Sequence, residues 1–211
     1  MTTSTHGDVS VQVGADHVAT VEIHRPSANF FDVGLIRSLA EGLDAVDADP
    51  GAWVVLLCSE GKYFCAGADF GAQSSAEPLG PGDTARLYRE AVRLFSARTP
   101  LVTAVQGAAI GGGLGLACAA DFRVASAESR FSANFARLGF HQGFGLSVTL
   151  PAIVGQQRVR SARRCAGHLA GEAARVTERE DAEQVRLRST EDFAEGIAAS
   201  AGRREPRFTG R

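Results

Sequence analysis

The chain has 211 residues, 45% of them hydrophobic and 22% charged, with a formal charge of −2. A chain of this size buries roughly 70% of the surface its unfolded form exposes, so a globular fold needs no metal or disulfide staple. The near-zero charge excludes a global pull toward nucleic acid or an anionic membrane, and the arginine bias (Lys62 is the single lysine) reads as a property of the coding genome.

The opening MTTSTHGDVS lacks a basic stretch followed by an apolar one, so no secretory signal is expected. Residues 9–24, VSVQVGADHVATVEIH, alternate apolar and polar about a Gly-Ala-Asp-His turn and predict a β-hairpin closed by Pro26. From Asp32, a candidate N-cap, Val33, Leu35, Ile36, Leu39, Leu43 and Val46 recur at helical spacing. The continuous apolar run 53–58, WVVLLC, predicts a strand in a sheet covered on both faces. Residues 71–82, rich in Gly, Ser and Pro, predict a mobile loop. A helix over 84–97 and a buried strand over 101–106, LVTAVQ, follow; Gly111–Gly113 then open a small-residue helix ending near Asp121, before a strand at 122–127. Thr99–Ala120 carries no charge and is nominally long enough to span a bilayer. Its glycines (Gly107, Gly111, Gly112, Gly113, Gly115), with Pro100 and Gln106, favour a buried strand, turn and helix, so no membrane span is expected. From about Arg158 the chain turns arginine-rich and acidic and predicts amphipathic helices. Strands alternating with helices make this an α/β chain.

Cys58, Cys65, Cys118 and Cys165 show neither C-x-x-C spacing nor a histidine cluster, which predicts no metal site and reduced thiols in a cytoplasmic protein. Two glycine-rich turns follow strands, Gly61–Phe70 and Gly107–Gly115. Small residues let backbone approach a ligand, and a helix starting at Gly112 aims free N–H groups outward. Two such donors on one carbonyl oxygen form an oxyanion hole, worth about 3–4 kcal/mol per donor; plain tight turns between strand and helix account for the same glycines. There is no G-x-x-x-x-G-K-[ST] and no G-x-G-x-x-G, and Ser147 lacks the second glycine of a nucleophile elbow.

The segments FCAGADF (64–70) and VQGAAIGGGLGLACAADFRVAS (105–126), in this order, resemble the enoyl-CoA hydratase/isomerase, or crotonase, superfamily. The resemblance begins at VEIHRPSANFF, resumes at WVVLLCSEGKYFCAGAD and runs through FSANFARLGFHQGFGLSVTLPAIVG to the closing helices. It implies a crotonase-type ββα spiral core over residues 1–155 and a helical C-terminal oligomerisation portion over 156–211, assembled as a homotrimer or hexamer. It also implies an acyl-CoA thioester as substrate, with coenzyme A as part of that substrate and no separate cofactor. The backbone N–H groups of Ala68 and Gly112 would form the oxyanion hole, and Ala66, Ala68, Asp69, Phe70 and Gly112 would bind substrate.

Departures from the family pattern shape the expected chemistry. Hydratases of this family use two glutamates; the matching positions here are Gly115 and Phe135, and neither transfers a proton. His141, in GFHQGFG, occupies a position that carries a functional aspartate in the similar naphthoate synthases, and it is the candidate acid/base. A histidine merely hydrogen-bonded in a loop is the plainer reading. Asp69 and Asp121 are expected to be structural, Cys65 a packing residue, and His24–Arg25 either near the CoA end or an exposed pair. Roughly fifty residues that the family carries have no counterpart near 157/158, which predicts an acyl pocket short of covering surface. Three outcomes stay open: an oxyanion-hole enzyme of undetermined product, an ordinary enoyl-CoA hydratase, or a non-catalytic acyl-CoA-binding scaffold.

Overall fold

A computed structural model describes residues 2–69, 82–154 and 168–211, and side chains of the last span from residue 174 onward. The loop expected from residue 71, Phe70, Cys165 and the 157/158 junction lie outside the described residues. A six-stranded sheet has the order β1-β2-β3-β4-β5-β7. Its strands are β1 (Thr2–His6), β2 (Val9–Val13), β3 (Val18–Ile23), β4 (Val54–Ser59), β5 (Leu101–Val105) and β7 (Phe122–Ala125). The first three pair antiparallel and the rest parallel, with Val21 opposite Leu57 and Leu57 opposite Thr103. A short parallel pair, β6 (Ala108–Ile110) and β8 (Arg130–Ser132), stands apart from it. The helices are α1 (Val33–Ala48), α2 (Asp83–Phe95), α3 (Gly112–Ala119), α4 (Leu146–Val154), α5 (His168–Arg188) and α6 (Glu191–Ala201), with a 3-10 turn at Asn134–Leu138.

The expected hairpin, the α1 and α2 helices and the strand–turn–helix across Thr99–Ala120 are all present, whereas β1 extends the sheet without having been anticipated. Its polar TTSTH sequence shows no hydrophobic alternation, and pairing to β2 alone makes it a strand. Two expectations are refined. Trp53 precedes β4, half-exposed and stacked on His17 at 3.8 Å. The β4 run is not buried on both faces: Val55 and Leu57 are fully buried, while Val54, Leu56 and Cys58 are only partly covered beside Thr20 and Glu22 of β3.

The core forms where Val21, Val55 and Leu57 meet the apolar stripe of α1 (Leu35, Ile36, Leu39, Leu43, Val46) and the inner face of α2 (Leu87, Ala91, Leu94). Asp32 caps α1, its carboxylate accepting the Leu35 N–H at 2.8 Å while paired to Arg25 at 2.8 Å. Burial alone would raise the Asp32 pKa, but Arg25 and the capping N–H outweigh it and hold the carboxyl below its usual range. At the other end of α1, Asp47 accepts the Arg98 and Thr99 N–H groups at 2.8 Å each and so ties the α2–β5 turn to the helix. The C-terminal helices pack back on the core, with Leu187 of α5 and Phe193 and Ile197 of α6 joining a second apolar cluster around Phe135, Leu138, Phe140 and Leu146.

Candidate active site

The two glycine-rich turns meet backbone to backbone. Cys65 bridges Ala109 in parallel, its N–H donating to the Ala108 carbonyl at 2.9 Å and its carbonyl accepting the Ile110 N–H at 3.1 Å. A Cβ on Gly113 would stand 2.2 Å from the Cys65 carbonyl oxygen, so only glycine permits α3 to start so close to the first turn. This contact sets Ala66, Gly67, Ala68, Gly111 and Gly112 along one wall of a cavity of about 320 Å3. Gly112 is the first residue of α3, so its N–H has no intrahelical acceptor. Among the described residues neither that N–H nor the Ala68 N–H has a hydrogen-bond partner.

The facing wall is aromatic and helical. Phe135 and Phe140 meet edge-on at 5.4 Å and Phe140 meets Phe193 of α6 at 5.2 Å, while Phe31, whose ring lies against Gly112, meets Phe144 at 5.6 Å. A Cβ on Gly115 would come within 2.7 Å of the Phe144 Cβ, so the Phe144 ring fills the space a side chain at 115 would need. Phe144 adopts φ 60, an unusual conformation for a bulky residue, between Gly143 and Gly145. No aspartate, glutamate or histidine lines the cavity among the described residues; its ionisable groups are Tyr88 and Arg188.

Those two side chains come from α2 and α5. Burial, and then the nearby Glu180 carboxylate, push the Tyr88 phenol far above its ordinary value, so it stays protonated; its oxygen accepts the Phe144 N–H. Gln184, one turn before Arg188 on α5, is buried and donates its amide to the His141 carbonyl at 3.0 Å. Glu180 is fully buried and accepts the Gly145 and Ser147 N–H groups at 2.9 and 3.2 Å, satisfying the start of α4. Sequence reasoning missed all four of these residues. Tyr88 alone had a signal, since it falls on the buried stripe Thr84, Leu87, Tyr88, Ala91 of α2.

The remaining candidates are distributed as follows. His141 lies outside the cavity lining, half-buried, with Nδ1 2.6 Å from the Gln142 carbonyl oxygen. Asp69 is partly buried and is not among the lining residues. Asp121 accepts the Leu101 N–H at 2.8 Å and anchors β5. Cys65 is fully buried and its thiol is pushed up to about 12 by that burial, which suits a packing role. His24 bonds Ser10 at 2.8 Å and Glu60 at 2.9 Å, while Arg25 pairs with Asp8 and Asp32, so both are held in local networks. Among the described residues no set of three His, Cys, Asp or Glu side chains is placed to hold a metal ion, and no helix is long and apolar enough to cross a membrane.

Comparison with known proteins bears on the same residues. Residues 14–177 match the enoyl-CoA hydratase/isomerase family. The chain is 38% identical over 152 residues to a probable enoyl-CoA hydratase, EchA14, of Mycobacterium tuberculosis, covering 69% of this chain and 58% of that protein. It is 36% identical over 155 residues to a putative enoyl-CoA hydratase of Thermus thermophilus, covering 71% and 61%. The chain therefore spans about three fifths of the length of these relatives. In fold it is similar to an enoyl-CoA hydratase/isomerase from Pseudoalteromonas atlantica, with a TM-score of 0.76 at 23% identity over 96% of this chain and 100% of that one. The overall fold is thus shared, and the chain belongs to the enoyl-CoA hydratase/isomerase family of the crotonase superfamily.

Proposed function

We propose that the chain binds an acyl-CoA thioester and polarises its carbonyl between the backbone N–H groups of Ala68 and Gly112, stabilising an enolate-like state. The observation that carries this reading is that two unpartnered N–H groups from interlocked turns line one mainly apolar cavity. Ala66 lines the same wall, and Asp69 and Phe70, which follow Ala68 in sequence, are the candidate contacts for the CoA arm. Coenzyme A enters with the substrate and no separate cofactor is invoked.

Two-glutamate hydration finds no support in the lining: Phe144 occupies the space beside Gly115, and Phe135 is an aromatic wall. Proton transfer falls to His141, whose carbonyl accepts the Gln184 amide, while Tyr88, held protonated, serves as a hydrogen-bond donor. The names of the relatives favour ordinary hydration, and the carboxylate-free lining favours a binding subunit, so the three readings are tested together. Assembly as a homotrimer or hexamer goes with this proposal; β7 is an edge strand and exposes Phe122 and Val124, apolar surface that suits a subunit contact.

The test is mass spectrometry of the protein with saturated, unsaturated and β-keto acyl-CoAs, scored for binding and for mass change, with chromatography for mass-neutral isomerisation. We expect binding and a conversion other than water gain. Ala68→Pro, which removes one free donor, should lower turnover about 100-fold while the fold is retained by circular dichroism. Unchanged turnover would refute the oxyanion assignment. Gain of water by an enoyl-CoA would establish the ordinary hydratase, and binding without conversion the scaffold. Loss of turnover in His141→Ala would assign the acid/base to that ring.

A further inference from the structure

The cavity has a second polar end that the thioester does not need. Arg188 lines it from α5, and its Nε is buried with no hydrogen-bond partner. Such groups are rare in folded proteins, because a buried donor left unmade forfeits its hydration for nothing. Asp181, whose Oδ1 is also buried without a partner, acts on Arg188 through space, but among the described residues no ion pair within 4 Å joins them. Glu180 is already engaged by two N–H groups of the α4 start. Beside the guanidinium stand two further polar heads. The Tyr88 oxygen and the Gln184 Nε2 come within 1.9 and 2.4 Å of where a Cβ on Gly143 would be, so both crowd over one bare backbone position. Tyr88 accepts the Phe144 N–H and keeps its own proton free to donate.

A guanidinium held in a mainly apolar cavity, with an open Nε edge and a phenol O–H at hand, matches the planar two-oxygen face of a carboxylate. We propose that this end is a carboxylate subsite, and that the preferred substrates are short acyl-CoAs whose acyl chain ends in a carboxylate, bound with the terminal carboxylate on Arg188 and Tyr88. The inference rests on the acyl-CoA reading above and adds the substrate class. An unsubstituted chain would leave Arg188 desolvated and unpaired, so the site discriminates against it as well as for the charged chain.

The test is calorimetric binding of glutaryl-CoA against pentanoyl-CoA, which have the same number of acyl carbons. Wild type should bind glutaryl-CoA at least tenfold more tightly. Arg188→Gln should abolish that preference by weakening glutaryl-CoA, while pentanoyl-CoA, relieved of the unpaired guanidinium, binds at least as tightly as to wild type. Should the Gln variant not fold, Arg188→Lys should bind both and narrow the preference several-fold, since an ammonium cannot present the planar fork. Equal affinities in wild type, tighter binding of pentanoyl-CoA, or a preference indifferent to Arg188 would each overturn the subsite while leaving the acyl-CoA reading intact. Equal loss of both ligands in Arg188→Gln would do the same and make Arg188 a structural residue. Failure of both ligands to bind wild type would overturn the acyl-CoA reading and the subsite together.

Discussion

The two walls of the cavity are built on opposite terms. The glycine-turn wall uses backbone alone: Ala68 and Gly112 carry unpartnered N–H groups among the described residues, and their positions follow from the Cys65–Ala109 bridge. The helical wall uses side chains from α2, the 3-10 turn and α5, with Tyr88, Phe135, Gln184 and Arg188 brought together from distant parts of the chain. Backbone donors act on any thioester carbonyl, whereas side chains choose what is attached to it. On the proposed function and the proposed subsite, chemistry and selectivity reside on different walls, and substitution should separate them.

The largest expected effect is on the backbone wall. Gly113→Ala places a Cβ against the Cys65 carbonyl, with no side chain able to yield, and should cost about 3 kcal/mol or more in urea unfolding. A loss under about 1 kcal/mol would mean that the turns are not locked together. The meeting point of the walls comes next. Gly115→Glu should destabilise by roughly 2–3 kcal/mol because Phe144 fills that space, and adding Phe144→Ala should recover about 1–2 kcal/mol of it. Simple additivity of the two substitutions would break the claim that this ring displaced a side chain. On the helical wall, Glu180→Ala strips two buried N–H groups of their acceptor and should cost about 1–3 kcal/mol, with faster hydrogen exchange at the start of α4.

The smallest effect lies away from both walls. Asp32→Ala should cost about 1 kcal/mol at pH 7 through the lost α1 cap. Because the folded Asp32 and Asp47 titrate below the unfolded value of about 3.9, their contribution is full above that pH and disappears as the pH falls through the lower folded values. The gap between wild type and Asp32→Ala should therefore narrow as the pH falls below about 4; a gap unchanged by acidification would remove the electrostatic part of the argument.

This division also explains what could be read from the amino-acid sequence. Contacts close in sequence left a pattern: the hairpin about Gly14–His17, the Asp32 cap, and the glycines that open α3. The polar β1 left none, because its partner strand makes it a strand. Ala68 and Gly112, singled out through the family resemblance, do fall together on the cavity lining, because the two glycine-rich turns that carry them are local in sequence and meet at the Cys65–Ala109 bridge. Tyr88, Glu180 and Arg188 were not, since each draws its meaning from a partner dozens of residues away, such as the α4 start that Glu180 accepts from. The expected shortage of covering surface was likewise a statement about long-range packing: α5 and α6 supply Gln184, Arg188 and Ile197 to the lining.

Glu180 carries a further meaning for how this architecture tolerates change. Its carboxylate is a key that fits one lock, the two N–H groups that open α4. Sliding α5 by one turn would present Val176 or Gln184 instead, and neither brings a negative charge to that helix end. The docking register of α5 is thus written into side-chain contacts, Glu180 on the α4 start and Gln184 on the His141 carbonyl, more than into the length of the connection that delivers the helix. Insertions and deletions between α4 and α5 can accumulate while Arg188 keeps returning to the same place in the cavity.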